Sequence, residues 1–188
     1  MYSSVVSVLM IFVFYSCFIS SSIHDVVATT STPSSSMIKQ VCSNRWSNFD
    51  SKLCIHILLS KHQIASATNL FDLSIGIMEL GISNATNTRT YIDKLLKKLT
   101  DVKGAVRECK LSYDSVIGSL KSALSEVRDD KEYLTATYDL LIASTDSIER
   151  CANAVVSGKV EDETILIGNK VVPIFGLSAY NAVDSLTH

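Results

Sequence analysis

The sequence contains few of the residues that interrupt regular backbone structure. Only seven glycines and two prolines occur among its 188 residues, whereas folds built from many short strands and tight turns use both residue types often. Apolar residues make up 47% of the chain and charged residues 19%, which is not the composition of a disordered protein. The sequence therefore predicts one folded, mainly helical domain, because a chain of this length can bury one core.

An excess of charge of one sign is also absent. The chain has 17 lysines and arginines against 19 aspartates and glutamates, which gives a formal net charge of −2. Acidic and basic residues are interspersed, so the sequence has no basic stripe that could bind nucleic acid or an anionic membrane surface. We therefore expect no nucleic-acid partner.

Sequence signatures of catalysis and of metal binding are missing as well. The chain has no nucleophile elbow, no glycine-rich phosphate loop and no zinc-ligand spacing. His56 and His62 are six residues apart, which does not place two imidazoles on one helical face as a metal pair requires. Asp129, Asp130 and Glu132 are more typical of a helix start and a solvated face than of paired catalytic acids. We predict that the protein is not an enzyme and uses no metal or cofactor.

A short apolar run lies near the start of the sequence. Residues 5–19, "VVSVLMIFVFYSCFI", are too few to span a bilayer comfortably, and small residues follow them. We interpret residues 1–28 as a secretory signal peptide; a retained amphipathic anchor is the alternative, because no lysine or arginine precedes the run. Residues 29–37, "TTSTPSSSM", have the composition of a flexible linker. Residues 38–188 then form the folded domain of a secreted protein that has no membrane contact after signal removal.

Removal of the signal peptide would leave four cysteines, Cys42, Cys54, Cys109 and Cys151. An even number of cysteines in a chain addressed to an oxidising compartment predicts a disulfide framework. Cys42 and Cys54 each lie six residues from Asn48, where two short helical pieces are separated. If these pieces fold back as a small hairpin, the two sulfur atoms meet.

Apolar residues recur at three- and four-residue spacings over four long segments, which predicts four main helices. The segments are Leu70 to Leu99, Val106 to Val127, Lys131 to Ser157, and Val172 to Leu186. Asp129 or Asp130 is expected to cap the third helix after a turn, and Pro173 is expected in the first turn of the last helix. With the short N-terminal helical hairpin in front, this order predicts an all-α, up-and-down four-helix bundle.

The turn near residue 130 places Cys109 and Cys151 at one level of the predicted bundle. Each cysteine lies about 21 residues from residue 130, so in an antiparallel helical hairpin both are roughly 31 Å from the turn. They can form a disulfide if their Cβ atoms face each other. Two unpaired buried thiols are the alternative.

The sequence gives two conflicting indications about whether Asn84 is glycosylated. With Ala85 and Thr86 it forms an N-glycosylation sequon, yet it lies within the apolar stripe of the first long helix, which should face the core. A glycan cannot be placed there. Either the helix breaks or kinks near residues 81–87, or Asn84 stays unmodified.

The stretch "CKLSYDSVIGSLKSAL", residues 109–124, together with the four-cysteine framework, resembles the plant invertase and pectin methylesterase inhibitor family. The likeness extends over about residues 38–186. In that family the first cysteine pairs with the second and the third with the fourth. The resemblance implies a secreted four-helix protein that blocks the active-site cleft of a cell-wall or vacuolar carbohydrate-active enzyme in a reversible one-to-one complex. It also implies an extracellular location in the apoplast, with the vacuole as the alternative.

The turn between the second and third long helices bears on the target enzyme. Invertase inhibitors resemble one another in an Asp-Pro-Lys-Phe segment at this place. Here the segment is Asp130, Lys131, Glu132 and Tyr133, which keeps the acid and an aromatic residue but lacks the proline and has glutamate where the lysine stands. The resemblance thus implies that these four residues bind the partner, with pectin methylesterase as the favoured target and acid invertase as the alternative.

Two alternatives to an active inhibitor stay open at this point. One is a disulfide-bonded helical carrier that holds an apolar ligand between its helices, although the predicted interior is filled by large aliphatic residues. The other is a relative of the family that has lost inhibition, because the segment around Asp130 and Arg150 departs from the family pattern. Tyr113 is expected to pack in the core with its hydroxyl hydrogen-bonded.

Overall fold

Helices follow one another along the chain with short connections between them. The structure is a computed structural model, which describes residues 33–43, 46, 49–98 and 103–188. Residues 1–28, interpreted above as a signal peptide, lie outside these residues. Within the described residues no strand occurs, and the helices are α1 Pro33–Val41, α2 Ser51–Leu59, α3 His62–Ala65, α4 Leu70–Leu96, α5 Lys103–Ser125, α6 Tyr133–Ser144, α7 Asp146–Ser157 and α8 Glu163–Asp184. The predicted all-α class is confirmed.

Four rods form the bundle: α4, α5, the pair α6 and α7, and α8. Helix α4 packs on both α5 and α8, while α5 also packs on α6 and α7. Gly81 lies against Phe175, and Thr88 lies against Gly168. Seven residues forward along α4 therefore correspond to seven residues back along α8, so these two helices are antiparallel. The expected up-and-down arrangement is confirmed.

Helix α1 begins inside the segment that the composition assigned to a linker. Pro33 is its first residue, a position where the missing proline N–H has no helical partner to lose. Ile38 and Val41 are fully buried, and the side-chain amide of Asn181 on α8 donates to the carbonyl of Val41 at 2.8 Å. The expectation of a flexible linker is therefore wrong from Pro33 to Met37, because apolar residues one turn later anchor this helix to the bundle.

Both disulfides join the cysteines that their spacing suggested. Cys42 and Cys54 connect α1 to α2 with a Cα–Cα distance of 5.7 Å, which confirms the N-terminal helical hairpin. Cys109 and Cys151 connect α5 to α7 with a Cα–Cα distance of 4.2 Å. Both members of the second pair are fully buried. The alternative of unpaired thiols is excluded.

The third rod is broken, whereas the sequence predicted one helix from Lys131 to Ser157. Thr145, with φ −113° and ψ −81°, separates α6 from α7. The hydroxyls of Ser144 and Thr145 donate back to the carbonyls of Leu140 and Leu141 at 2.6 and 2.8 Å. Hydrogen bonds from side-chain hydroxyls to the carbonyls of the preceding turn compete with the backbone hydrogen bonds of the helix and bend it.

The last helix starts ten residues before the proline that was expected in its first turn. Asp162 caps α8, since its carboxylate accepts from the backbone N–H of Ile165 at 3.1 Å. Pro173 consequently lies in the helix interior and has no N–H to donate to the carbonyl of Asn169. The expectation for Pro173 is wrong, because burial of Ile165 and Gly168 holds the turns in front of the proline against the bundle.

Candidate target-binding surface

The connection between α5 and α6 is the turn that the sequence placed near residue 130. Glu126–Asp130 forms a π-helical turn that continues α5, and Lys131 ends it with a left-handed backbone at φ 62°. The backbone N–H of Glu132 donates to the carbonyl of Glu126 at 2.9 Å. Glu132 then precedes α6 without a side-chain cap. The expectation that Asp129 or Asp130 caps this helix is wrong, because the π turn carries both residues to the end of the preceding helix.

Lys131 is held against the bundle by its own side chain. Its ammonium lies 4.1 Å from the ring centroid of Phe71 on α4, a distance suited to a cation–π contact. The same ammonium donates to the carbonyl of Arg128 at 2.9 Å, where a cation also compensates the negative helix end. Lys131 thus fixes the turn to the start of α4, a role that the sequence did not reveal.

Arg128, the other cation of this turn, is engaged as well. Its guanidinium forms an ion pair with Glu79 on α4, which also accepts from the side-chain amide of Gln63 at 3.0 Å. The exposed and half-buried charges that remain near the turn are therefore mainly acidic. We call Glu126, Asp129, Asp130, Glu132 and Asp139 the acidic collar.

Within the acidic collar, Glu126 has a raised pKa. Partial burial is the largest cause, and the negative charge of Asp139 and then of Asp130 and Glu132 adds to it, while a hydrogen bond from Ser122 opposes it. One carboxylate oxygen of Glu126 is buried and has no hydrogen-bond partner among the described residues. The ionised form of Glu126 therefore weakens the folded turn.

The raised pKa of Glu126 predicts a stability that increases on mild acidification. Because the folded state binds this proton more readily than the unfolded state, lowering the pH through the folded pKa favours folding until the unfolded pKa is passed. We expect Glu126→Gln to raise the melting temperature near pH 7.5 and to raise it by less near pH 5. Thermal melts of both proteins at the two pH values measure this difference. Equal gains at both values would contradict the assignment.

Helix α6 exposes an apolar ridge beside the acidic collar. The side chains of Leu134 and Tyr138 are 76% and 63% exposed, and their four-residue spacing places them on one face. Ala136, Leu140 and Ala143 bury the opposite face. Exposed apolar residues rimmed by polar groups are typical of protein–protein contacts. We call Leu134 and Tyr138 the α6 ridge.

The four residues that the resemblance singled out for partner binding differ in accessibility. Asp130 and Glu132 are exposed, and Tyr133 is half-buried and packs against the core. Lys131 is exposed overall, but its ammonium is occupied as described above. The α6 ridge was not identified from the sequence. The sequence does contain an indication of it, because α6 has apolar residues on two opposite sides and the bundle can cover only one of them.

Asn84 lies in the middle of α4, which continues without a break through residues 81–87. The residue is half-buried, its carbonyl accepts the hydroxyl of Thr88 at 3.2 Å, and its side-chain oxygen is buried without a partner among the described residues. Of the two alternatives, the continuous helix favours an unmodified Asn84.

Tyr113 is fully buried and contributes to the core, not to the surface. Its hydroxyl donates to the side-chain oxygen of Asn169 on α8 at 3.1 Å. Burial strongly raises the pKa of this hydroxyl, and a hydrogen bond involving Thr88 opposes the effect. Tyr113 therefore links α5, α4 and α8, as expected for a hydrogen-bonded core tyrosine.

Comparison with known proteins agrees with this fold. Residues 36–172 match the family described as plant invertase/pectin methylesterase inhibitor. The chain belongs to this family. A crystal structure of mutant form A of a pectin methylesterase inhibitor from Arabidopsis matches with a TM-score of 0.65 and 20% identity, over 71% of this chain and 88% of that chain. A second one, of a pectin methylesterase inhibitor from Arabidopsis thaliana, gives a TM-score of 0.60 and 20% identity over 82% and 98%. No curated protein matches.

Family membership decides the class of function. Members of the family are inhibitors of pectin methylesterase or invertase and are not enzymes themselves, so the prediction that this chain is not an enzyme is confirmed. The chain is accordingly an enzyme inhibitor of this class. Proteins of the family are typically extracellular. Among the described helices, none is both long and apolar enough to cross a bilayer.

Proposed function

We propose that the protein inhibits pectin methylesterase by capping the active-site cleft in a reversible one-to-one complex. The observation that carries the proposal is the α6 ridge beside the acidic collar, which provides an exposed apolar centre with a charged rim on a rigid bundle. The departure of Lys131 and Glu132 from the segment shared by invertase inhibitors supports pectin methylesterase as the target. Acid invertase is the second candidate, because Asp130 is retained and position 133 keeps an aromatic residue.

Binding would combine an apolar anchor with electrostatic orientation. Leu134 and Tyr138 are large, mostly exposed apolar side chains that would lose this surface on contact, and aromatic anchors are common hot spots. The acidic collar, including Asp130 and Glu132, would face basic groups at the rim of the target cleft, which mainly raises the association rate. Tyr133 would contact the target with its exposed part. Lys131 would act indirectly by fixing the turn.

A carrier function finds little support in the bundle interior. Large aliphatic side chains fill the space between α4, α5 and α8, with Leu73, Ile77, Ile92 and Leu120 all fully buried. An apolar ligand would have to displace these residues, and close-packed cores resist such displacement.

Alanine substitution of the α6 ridge tests the proposed surface. We expect Leu134→Ala and Tyr138→Ala each to weaken inhibition about 10-fold or more, which corresponds to about 1.4 kcal/mol. Both side chains are exposed, so the melting temperature should change little. Val156→Ala is the matched control, because Val156 on α7 is also 76% exposed and lies far from the turn in the sequence. Equal inhibition by all three variants would show that the target binds elsewhere.

The target itself is tested with the oxidised protein and two purified enzymes. Pectin methylesterase and acid invertase are assayed with increasing inhibitor at acidic and near-neutral pH, and light scattering gives the mass of each complex. Inhibition of pectin methylesterase alone at one-to-one stoichiometry is the expected result. Inhibition of invertase alone would show that acid invertase, and not pectin methylesterase, is the target. Inhibition of neither enzyme would identify the protein as a relative that has lost inhibitory activity.

The location is part of the same proposal. The chain would be secreted into the apoplast after removal of residues 1–28, with the vacuole as the alternative destination, and Asn84 would carry no glycan. Intact-mass measurement of the secreted protein, with and without glycosidase treatment, checks both statements. A mass loss on treatment would require α4 to open near Asn84.

A further inference from the structure

The turn between α5 and α6 has little support from its own residues. Val127 is fully buried, but residues 128–132 after it are all exposed. Lys131 has a left-handed backbone, which is unfavourable for a residue with a Cβ atom and is usually left to glycine. Glu132 precedes α6 without capping it. A segment with these properties keeps one conformation only where contacts from elsewhere in the fold hold it.

Helix α4 supplies two such contacts. The turn has two cations, Arg128 and Lys131, and each of them reaches a different residue of α4. The ammonium of Lys131 lies over the ring of the half-buried Phe71, and the guanidinium of Arg128 pairs with Glu79. Phe71 and Glu79 are about 12 Å apart along the helix axis, because eight steps of 1.5 Å separate them. Two contacts at this spacing restrict both the position and the orientation of the turn.

Both residues of α4 are themselves held in place. Phe71 packs against the cluster of buried core side chains. One carboxylate oxygen of Glu79 pairs with Arg128, and the other accepts from the side-chain amide of Gln63 on α3 at 3.0 Å. The contacts of the turn therefore lead back to α3 and α4, which do not depend on the turn for their own structure.

We propose that Phe71 and Glu79 are positioning residues for target binding, which act through Lys131 and Arg128 and do not touch the target. By engaging both cations of the turn, they hold its backbone in one conformation and leave the acidic collar as its free charge. A turn that is already ordered loses less conformational freedom when the target binds, so its affinity is higher. This inference rests on the proposed inhibitory function.

A double-mutant cycle over Phe71 and Lys131 tests the first contact. Phe71→Leu keeps an apolar side chain without the ring, and Lys131→Gly removes the ammonium but accepts the left-handed backbone. Each variant should inhibit the enzyme that the parent protein inhibits at least about threefold more weakly. The double variant should be no weaker than the weaker single variant, because both changes break one contact. Phe71→Trp keeps an aromatic face and should inhibit like the parent.

Exchange of the two charges tests the second contact. Glu79→Arg and Arg128→Glu each bring like charges together and should weaken inhibition at least about threefold. The double variant re-forms the pair and should recover most of the inhibition. Glu161→Arg is the matched charge control, since exposed Glu161 precedes Asp162, which contacts Tyr91 about 18 Å beyond Glu79 along α4. This control should inhibit like the parent.

Amide hydrogen exchange of the free protein measures the turn without any target. The backbone N–H groups of Lys131 and Glu132 both donate to the carbonyl of Glu126. Their exchange should become at least about threefold faster in Phe71→Leu and in Glu79→Arg, and it should be unchanged in Phe71→Trp and in Glu161→Arg. Thermal melts of all variants show any general loss of stability.

Three results would overturn the proposal: unchanged exchange in both Phe71→Leu and Glu79→Arg, unchanged inhibition despite faster exchange, or fully additive losses of inhibition in the double variant of Phe71 and Lys131. Additive losses would mean that Lys131 binds the target directly. A parent protein that inhibits neither enzyme would remove the proposed function and this role together. Loss of the positioning role alone would instead appear as an active parent whose variants inhibit equally well.

Discussion

Replacing Cys109 and Cys151 together by alanine is expected to lower the free energy of unfolding by about 4 kcal/mol. The disulfide closes a loop of 42 residues, and the chain-entropy relation assigns about that value to a loop of this length. Both side chains are fully buried, so loss of the sulfur atoms adds a packing penalty. Urea denaturation of the oxidised protein and of the double variant measures the difference.

The other disulfide provides the internal comparison. Cys42 and Cys54 close a loop of 12 residues, for which the same relation gives about 3 kcal/mol. The Cys42→Ala, Cys54→Ala variant should therefore be destabilised by about 1 kcal/mol less than the first variant. If the order of the two variants were reversed, loop length would not be the main source of the stabilisation.

Gly176→Ala is expected to lower the free energy of unfolding by about 2–3 kcal/mol. A Cβ atom at this position of α8 would meet the hydroxyl oxygen of Ser144 at an impossibly short distance and the Cβ of Ser144 at 3.1 Å. Ser144 cannot turn away easily, because its hydroxyl is bonded to the carbonyl of Leu140. The helices α6 and α8 must therefore separate, and overpacking of this kind is destabilising by that amount.

Gly118→Ala on α5 is the control for this substitution. No atom of the residues that the structure describes lies within 4 Å of the added Cβ at Gly118, so the helix propensity of alanine should stabilise this variant by roughly 0.5–1 kcal/mol. The two substitutions are chemically identical and should have opposite signs in the same urea titration. A Gly176→Ala protein as stable as the parent would show that α6 and α8 are not in rigid contact.

Much of the bundle could be predicted from residue spacing. The apolar residues of α4 and α5 recur with helical spacing, and the position of Cys109 and Cys151 about residue 130 places them opposite each other. Both features follow from residue spacing along the chain, and neither requires knowledge of which helices contact each other. The break at Thr145 and the early start of α8 could not be predicted in this way, since they depend on which side of each helix meets a neighbour.

The position of the turn between α5 and α6 could be predicted from the sequence, and its side-chain contacts could not. The turn at Asp130 to Tyr133 follows from the disulfide register and from the family resemblance. The inward ammonium of Lys131 depends on Phe71, about 60 residues earlier in the sequence, and no spacing rule connects the two. The exposure of Leu134 and Tyr138 could not be predicted, because the sequence of a helix that is apolar on two sides does not show which side the bundle covers.

The ends of α6 have a consequence for how such a protein can diversify. This 12-residue helix starts after one local backbone feature, Lys131, and stops at another, Thr145, while Ala136, Leu140 and Ala143 anchor its inward side. Substitutions at positions 134 and 138 leave all of these supports untouched. The outward side of α6 can therefore be substituted without loss of the fold. Changes there would alter which enzyme the protein binds while its stability is preserved.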